Sequence, residues 1–332
     1  MLSGSKFLGY HAGMERRLRR LPDRFYFFGL LVVLAALPRG TAYSLARKLG
    51  QSLERKHPET RKAILENLRT PALQENARDL PSVVRNCFEH LVCEDLDAYF
   101  YPFWSKRNLG TYFDVSGLQY LDRALDQGKG AILLTGHVGP VCAGMVGLGI
   151  LGYPIHHVAR DYRSDKSIEP AFRDFARLKV GWMESKMGHP LIDAHRDDNP
   201  NLVAAVLKIK QALSNNQLVS MAVDVNPTWV NDAVPVSFLG RRCRLTSSLV
   251  RLAYDCQCPI IPYFNLRHPR LWFRHRLEVL PRLELSGVVE EDVQRCADRL
   301  QEVIESDPAQ WFSWDSLAAF ATDFSFDRRR TV

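Results

Sequence analysis

The 332-residue chain contains no CxxC pair, no phosphate-loop sequence, no internal repeat and no low-complexity tract. The missing phosphate loop removes the P-loop nucleotide enzymes. Seven cysteines, Cys87, Cys93, Cys142, Cys243, Cys256, Cys258 and Cys296, are too few and too scattered for a disulfide framework, and they read as reduced thiols facing the cytoplasm. His156-His157 and Cys256-x-Cys258 lack any accepted zinc spacing, so no metal and no other cofactor is expected. An apolar run of spanning length behind the N-terminal basic residues is missing too: Phe25–Leu37 has 13 residues and is closed by Pro38, whereas a bilayer core takes about 20 helical residues.

What is present is a core-forming composition, 46% hydrophobic and 24% charged, with an uneven charge. The net charge is +7, yet residues 1–62 alone carry 13 basic and 4 acidic side chains, so the remainder is slightly negative. Arg16, Arg17, Arg19, Arg20 and Arg24 precede the apolar run, which resembles a signal peptide's charged region, but no small-x-small cleavage site follows. A basic flank on a short apolar helix is expected to lie on an anionic membrane surface, with a core helix, or a cleaved or spanning segment, as the alternatives. No nucleic-acid module accompanies the basic residues, so nucleic acid is not expected as a partner.

From Tyr43 to Phe103 the apolar residues recur at helical spacing. The pattern changes at Lys129–Gly136, where Ala131-Ile132-Leu133-Leu134 lies between glycines, as a strand buried on both faces would. Further strands are expected at Ile155–Ala159, Leu218–Val223, Pro259–Phe264 and His275–Leu280. Helical patterns lie between them at Ile168–Leu178, Leu202–Leu213, Thr246–Tyr254 and Glu290–Ile304. This alternation predicts an α/β fold, a mostly parallel sheet flanked by helices, with a helical N-terminal membrane-associating extension. The division expected is a helical region over 1–110 and an α/β core over 111–332, forming one continuous domain.

Ligands of open α/β sheets sit beyond the carboxyl ends of strands. There the chain reads Thr135-Gly136-His137-Val138-Gly139-Pro140-Val141-Cys142. His137 falls on the sheet edge, Gly136 and Gly139 allow close approach of substrate and backbone, and Pro140 suits a first helical turn. Cys142 would then stand near the helix start, within reach of His137. The plainer reading, a core cysteine and a satisfied loop histidine, stays open. At other strand ends, Arg160 could grip a phosphate or form an ion pair with Asp161, and Asp224, before Asn226-Pro227, could be functional or turn-forming. Trp311 and Trp314 read as packing anchors.

These residues carry a resemblance. His137 is followed by Val158-Ala159-Arg160, Val223-Asp224, Val236-Ser237-Phe238-Leu239-Gly240, Pro259-Ile260-Ile261-Pro262 and Pro308-Ala309-Gln310-Trp311-Phe312-Ser313-Trp314. Arg61-Lys62 and Asn67-Leu68-Arg69 precede it. In that order, from about Phe25 to Trp314, the chain resembles the bacterial lipid A late acyltransferases, the lauroyl/myristoyl transferases of the wider lysophospholipid-acyltransferase group. The resemblance implies a histidine base that deprotonates an acceptor hydroxyl or amine, which attacks an acyl carrier protein or acyl-CoA thioester at the cytoplasmic face of the bacterial inner membrane. It departs at one place: the family's acid five residues after the histidine is Cys142 here. Three outcomes follow from that. The site is dead and the protein only binds lipid or carrier; another carboxylate, Asp224 or Asp161, substitutes; or Cys142 is a nucleophile that forms an acyl-enzyme with His137 as its base. Altered chemistry would also suit a thioester-processing enzyme of a secondary-metabolite pathway.

Overall fold

The computed structural model describes residues 23–74, 79–163, 165–194, 200–230 and 232–321. Arg16, Arg17, Arg19 and Arg20 lie outside the described residues. The chain enters through a short helical segment, Asp23–Phe25, Tyr26–Leu30 and Leu31–Ala35, whose middle turn is wider than an α-helix. Tyr26, Phe27, Leu31 and Leu34 point into the core, while Phe25, Val32 and Val33 are exposed. One face of Phe25–Leu37 is thus part of the core, as the core-helix alternative has it, and the other is exposed. Among the described residues no helix is long and apolar enough to cross a membrane.

Pro38 and Pro58 each permit a new helix start, giving α1 (Arg39–Lys56) and α2 (Pro58–Leu68), followed by α3 (Leu80–Ala98), which Asp79 caps at Ser82. The first strand, β1 (Phe113–Ser116), was not legible as a strand because only Phe113 of its four residues is buried. Then come α4 (Leu118–Leu125), β2 (Ala131–Thr135), α5 (Val141–Leu151), β3 (Ile155–Ala159), α6 (Pro170–Met187) and the two-residue β4 (Ile192–Asp193). The second half contains α7 (Pro200–Ser214), β5 (Leu218–Ala222), a hairpin of β6 (Ala233–Phe238) and β7 (Arg241–Thr246), then α8 (Ser248–Cys256), β8 (Ile260–Arg267), β9 (His275–Val279) and α9 (Val289–Ser306). Pro140 is placed one step outside the expected first turn, at the residue preceding α5.

The sheet order is β1-β9-β8-β2-β5-β3-β4, and every pairing is parallel except β8 with β9. That exception follows from the connection: residues 268–274 are too few for a crossover helix, so the chain returns antiparallel. β2 is buried at all five positions because it lies at the centre, between β5 and β8, as its unbroken apolar run requires. The hairpin β6–β7 forms its own two-stranded sheet against α9. One contiguous apolar core runs from Tyr26 to Phe320, so the helical N-terminal region and the sheet share it.

Polar contacts also tie the two together. Arg267 at the end of β8 reaches Asp97 at the end of α3 through Nη2 at 2.5 Å and Nη1 at 3.2 Å, and the Tyr43 hydroxyl of α1 donates to the same carboxylate. The backbone oxygen of Trp272 accepts from Arg267 Nη1 at 2.6 Å. Both members of the ion pair are essentially inaccessible to solvent. Removing one partner from such a pair strands an uncompensated charge, at a cost of about 3–5 kcal/mol. Asp97→Ala should therefore lower unfolding free energy by roughly that amount in urea titration, whereas an exposed carboxylate such as Glu302, paired with Arg299 on α9, should change it by less than about 1 kcal/mol when replaced by Ala.

Candidate functional site

The register of the central strands builds the site. β2 and β5 pair residue for residue from Ala131 with Leu218 to Thr135 with Ala222, and the Val223 amide still donates to the Thr135 carbonyl at 3.0 Å. Carried two residues further, the same offset sets His137 beside Asp224. The Asp224 carboxylate accepts the His137 backbone N–H at 2.9 and 3.0 Å and lies 2.9 Å from His137 Nδ1. It is fully buried, while the His137 side chain keeps 46% of its surface exposed. Gly136 makes this approach possible: a Cβ there would sit 2.5 Å from Leu300 and 3.2 Å from Asp224 Oδ1.

The C-terminal segment locks the loop. Trp311 Nε1 donates to Asp224 Oδ2 at 2.8 Å. The Phe312 amide donates to the His137 carbonyl at 2.8 Å, and the Gly139 amide to the Gln310 carbonyl at 2.7 Å, so residues 137–139 and 310–312 lie side by side like strands. Gly139 has φ +65°, and a side chain there would strike the Asn265 carbonyl. Trp311 and Trp314 are buried packing anchors, as expected, and the Trp311 indole N–H adds a polar duty that its sequence context did not reveal.

Electrostatics follow from these contacts. Burial alone would raise the Asp224 carboxyl, but the charge and hydrogen bonds of His137, with the Trp311 donor, hold it below the usual carboxylate range. For His137, the enclosing protein favours the neutral ring, yet the Asp224 charge and hydrogen bonds, helped by Glu94, lift it above the usual histidine value. Asp224 takes up Nδ1–H, leaving Nε2 as the nitrogen able to accept a proton.

Cys142 stands second in α5, partly buried. No hydrogen bond joins it to His137 among those described. Burial pushes its thiol up; Lys179 acts to lower it and Glu94 to raise it. Glu94 of α3 and Lys179 of α6 form a buried ion pair of 3.2 Å beside it, a contact across 85 residues that the sequence did not signal. Arg160, at the end of β3, pairs with Asp165 rather than with Asp161, and its guanidinium lies 5.3 Å from the Tyr162 ring centre. Asp161 is instead held by Arg163 at 2.7 Å. Of the two carboxylates considered as substitutes for an acid at 142, Asp224 is the one that meets His137. His156 Nε2 contacts Gln217 and its ring stacks on His189, and no group of three or more His, Cys, Asp or Glu side chains placed to hold a metal ion occurs among the described residues.

A histidine held by a buried carboxylate at a strand end, fixed from behind by a tryptophan-containing C-terminal segment, is accompanied by a sequence match over most of the chain. The profile of the bacterial lipid A biosynthesis acyltransferases matches residues 14–314. The chain belongs to this family. It is an acyltransferase. Similar proteins include the phosphatidylinositol mannoside acyltransferases of Mycobacterium tuberculosis strains H37Rv and CDC 1551, each 24% identical over 236 residues, covering 67% of this chain and 68% of theirs.

The pair makes a pH prediction for this acyltransferase. A base must be neutral to act, so the acid limb of its kcat/KM profile should fall above about 6.5, the ordinary histidine value. Removing the Asp224 charge lowers the His137 pKa. Asp224→Asn should therefore move that limb to lower pH while reducing kcat about 10²–10⁴-fold; steady-state rates across pH check both.

Proposed function

We propose that this acyltransferase moves an acyl group from an acyl carrier protein or coenzyme A thioester to a hydroxyl or amine of a lipid acceptor, at the cytoplasmic face of the bacterial inner membrane. The observation that carries the proposal is the His137–Asp224 pair at the sheet edge, with Nδ1 2.9 Å from a buried carboxylate and the ring half exposed. His137 Nε2 takes the acceptor's proton as its oxygen or nitrogen attacks the thioester carbonyl, and Asp224 stabilises the resulting imidazolium. The tetrahedral intermediate expels the donor thiolate, which recovers the proton from His137. The products are acylated acceptor and free thiol.

Asp224 thus serves as the orienting acid, and Arg160 at the neighbouring strand end would exchange its Asp165 partner for the phosphate of a substrate. Lipid acceptors are in keeping with the family's name and with the mycobacterial relatives named for phosphatidylinositol mannoside. Peripheral attachment is supported by the exposed Phe25, Val32 and Val33 beside Arg24, following the arginine-rich residues 16–20.

Covalent transfer through Cys142 is the second reading, favoured by the neighbouring Lys179 ammonium, since a cation next to a thiol promotes thiolate. Against it stand the net upward shift imposed by burial and the commitment of His137 Nδ1 to Asp224.

Two measurements test these readings. Purified protein supplied with acyl thioesters and lipid acceptors should release thiol, and His137→Ala should lower the rate by about 10²–10⁴-fold; equal release by the variant refutes the base. Intact-protein mass spectrometry with donor alone should show no acyl adduct, and Cys142→Ala should keep activity. An adduct that disappears in Cys142→Ala would transfer the chemistry to the thiol.

A further inference from the structure

Phe103 is the most exposed large apolar side chain among the described residues, at 70%. A lone exposed phenylalanine on a loose loop would need no explanation, but this one is held firmly. It ends the turn Tyr101–Phe103, with Tyr101 and Trp104 on either side fully buried and their rings 5.1 Å apart. Asn108 donates to the Phe103 carbonyl and accepts the Ser105 amide, both at 2.9 Å. From α6, the Lys186 ammonium donates to the carbonyls of Pro102 at 3.1 Å and Trp104 at 2.9 Å. The turn therefore directs two aromatics inward and fixes the third outward. Lys106 and Arg107, both exposed, follow at once, and residues 98–113 contain no acidic side chain.

The turn and the N-terminal segment both contact α6. Asp174, Leu178, Trp182 and Lys186 are spaced by four and so follow one row of neighbours, which winds by about 120° around the helix between its ends. At its beginning, Arg24 pairs with Asp174 at 3.6 Å, and Phe27 packs on Phe172 and Phe175. Further on, Trp182 meets Tyr99, and at the end Lys186 holds the Phe103 turn. Twelve helical residues separate the ends, about 18 Å. Two apolar points flanked by cations thus lie at the two ends of α6, too far apart to pack on each other.

We propose that Phe103, with Lys106 and Arg107, is a second contact with an anionic phospholipid surface, acting together with the exposed face of residues 25–33. The inference rests on the peripheral-membrane reading above. Aromatic insertion beside basic residues is the arrangement that suits the headgroup boundary.

Flotation of the full-length protein with vesicles of phosphatidylcholine and phosphatidylglycerol tests this. Phe103→Ser should reduce partitioning about tenfold, and the double variant Lys106→Ala, Arg107→Ala about fivefold per charge removed, with unchanged thermal unfolding midpoints. Phe103→Trp should bind at least as well as the natural protein. Leu207→Ser, which removes a comparably exposed apolar side chain (62%) from α7, should bind normally. If Phe103→Ser and the double variant bind like the natural protein while Val33→Ser is weakened, the second contact is refuted and the N-terminal one stands. Failure of the natural protein to bind such vesicles refutes both.

Discussion

The Asp224 carboxylate is the constraint around which the site is organised. Buried without partners it would be prohibitively costly, and three donors meet it: the His137 amide, the His137 ring and the Trp311 indole. Each comes from a different requirement of the fold. The amide arrives because β2 and β5 run parallel in constant register, the ring because His137 is the residue that ends that register, and the indole because the chain returns after α9 to lie along residues 137–139. Loss of any one would leave the carboxylate short of a donor and free the loop. A single buried charge thus couples the sheet, the catalytic candidate and the C-terminal segment.

A second buried charge governs the N-terminal half. The Asp97–Arg267 pair connects α3 to β8, and Tyr43 brings α1 to the same carboxylate. Gln310 extends the connection, accepting the Arg267 amide at 2.7 Å through its side chain while its own carbonyl receives the Gly139 amide. Helices α1 and α3 are therefore linked through β8 to the loop that carries His137. Glu94 and Lys179 form a third buried pair between α3 and α6, near Cys142, where they hold charges of both signs against a thiol that stays neutral. An enzyme of this family that has a cysteine five residues after its histidine is in this way still surrounded by carboxylates, one behind the ring and one behind the thiol.

Composition, periodicity and motif order determined a good deal. Central strands declared themselves because burial on both faces leaves unbroken apolar runs, as in Ala131–Leu134, and the helices from Ile168 onward showed amphipathic spacing. His137 was legible as a strand-end residue, and Asp224 as one of two carboxylates able to serve it. Edge strands were not legible: β1 has one buried residue in four, and β6–β7 alternate around Pro235 and a Leu239-Gly240 turn, so neither shows a continuous run. The choice between Asp161 and Asp224 belonged to the tertiary structure, because it depends on which strand ends lie side by side and on Arg163 having claimed the other carboxylate. The same holds for the Trp311 donor, the Glu94–Lys179 pair and the replacement of Asp161 by Asp165 as partner of Arg160. A sequence shows the chemistry available at each strand end, since that is local. Which groups meet is set by register and by long-range packing, and those exist only once the sheet has formed.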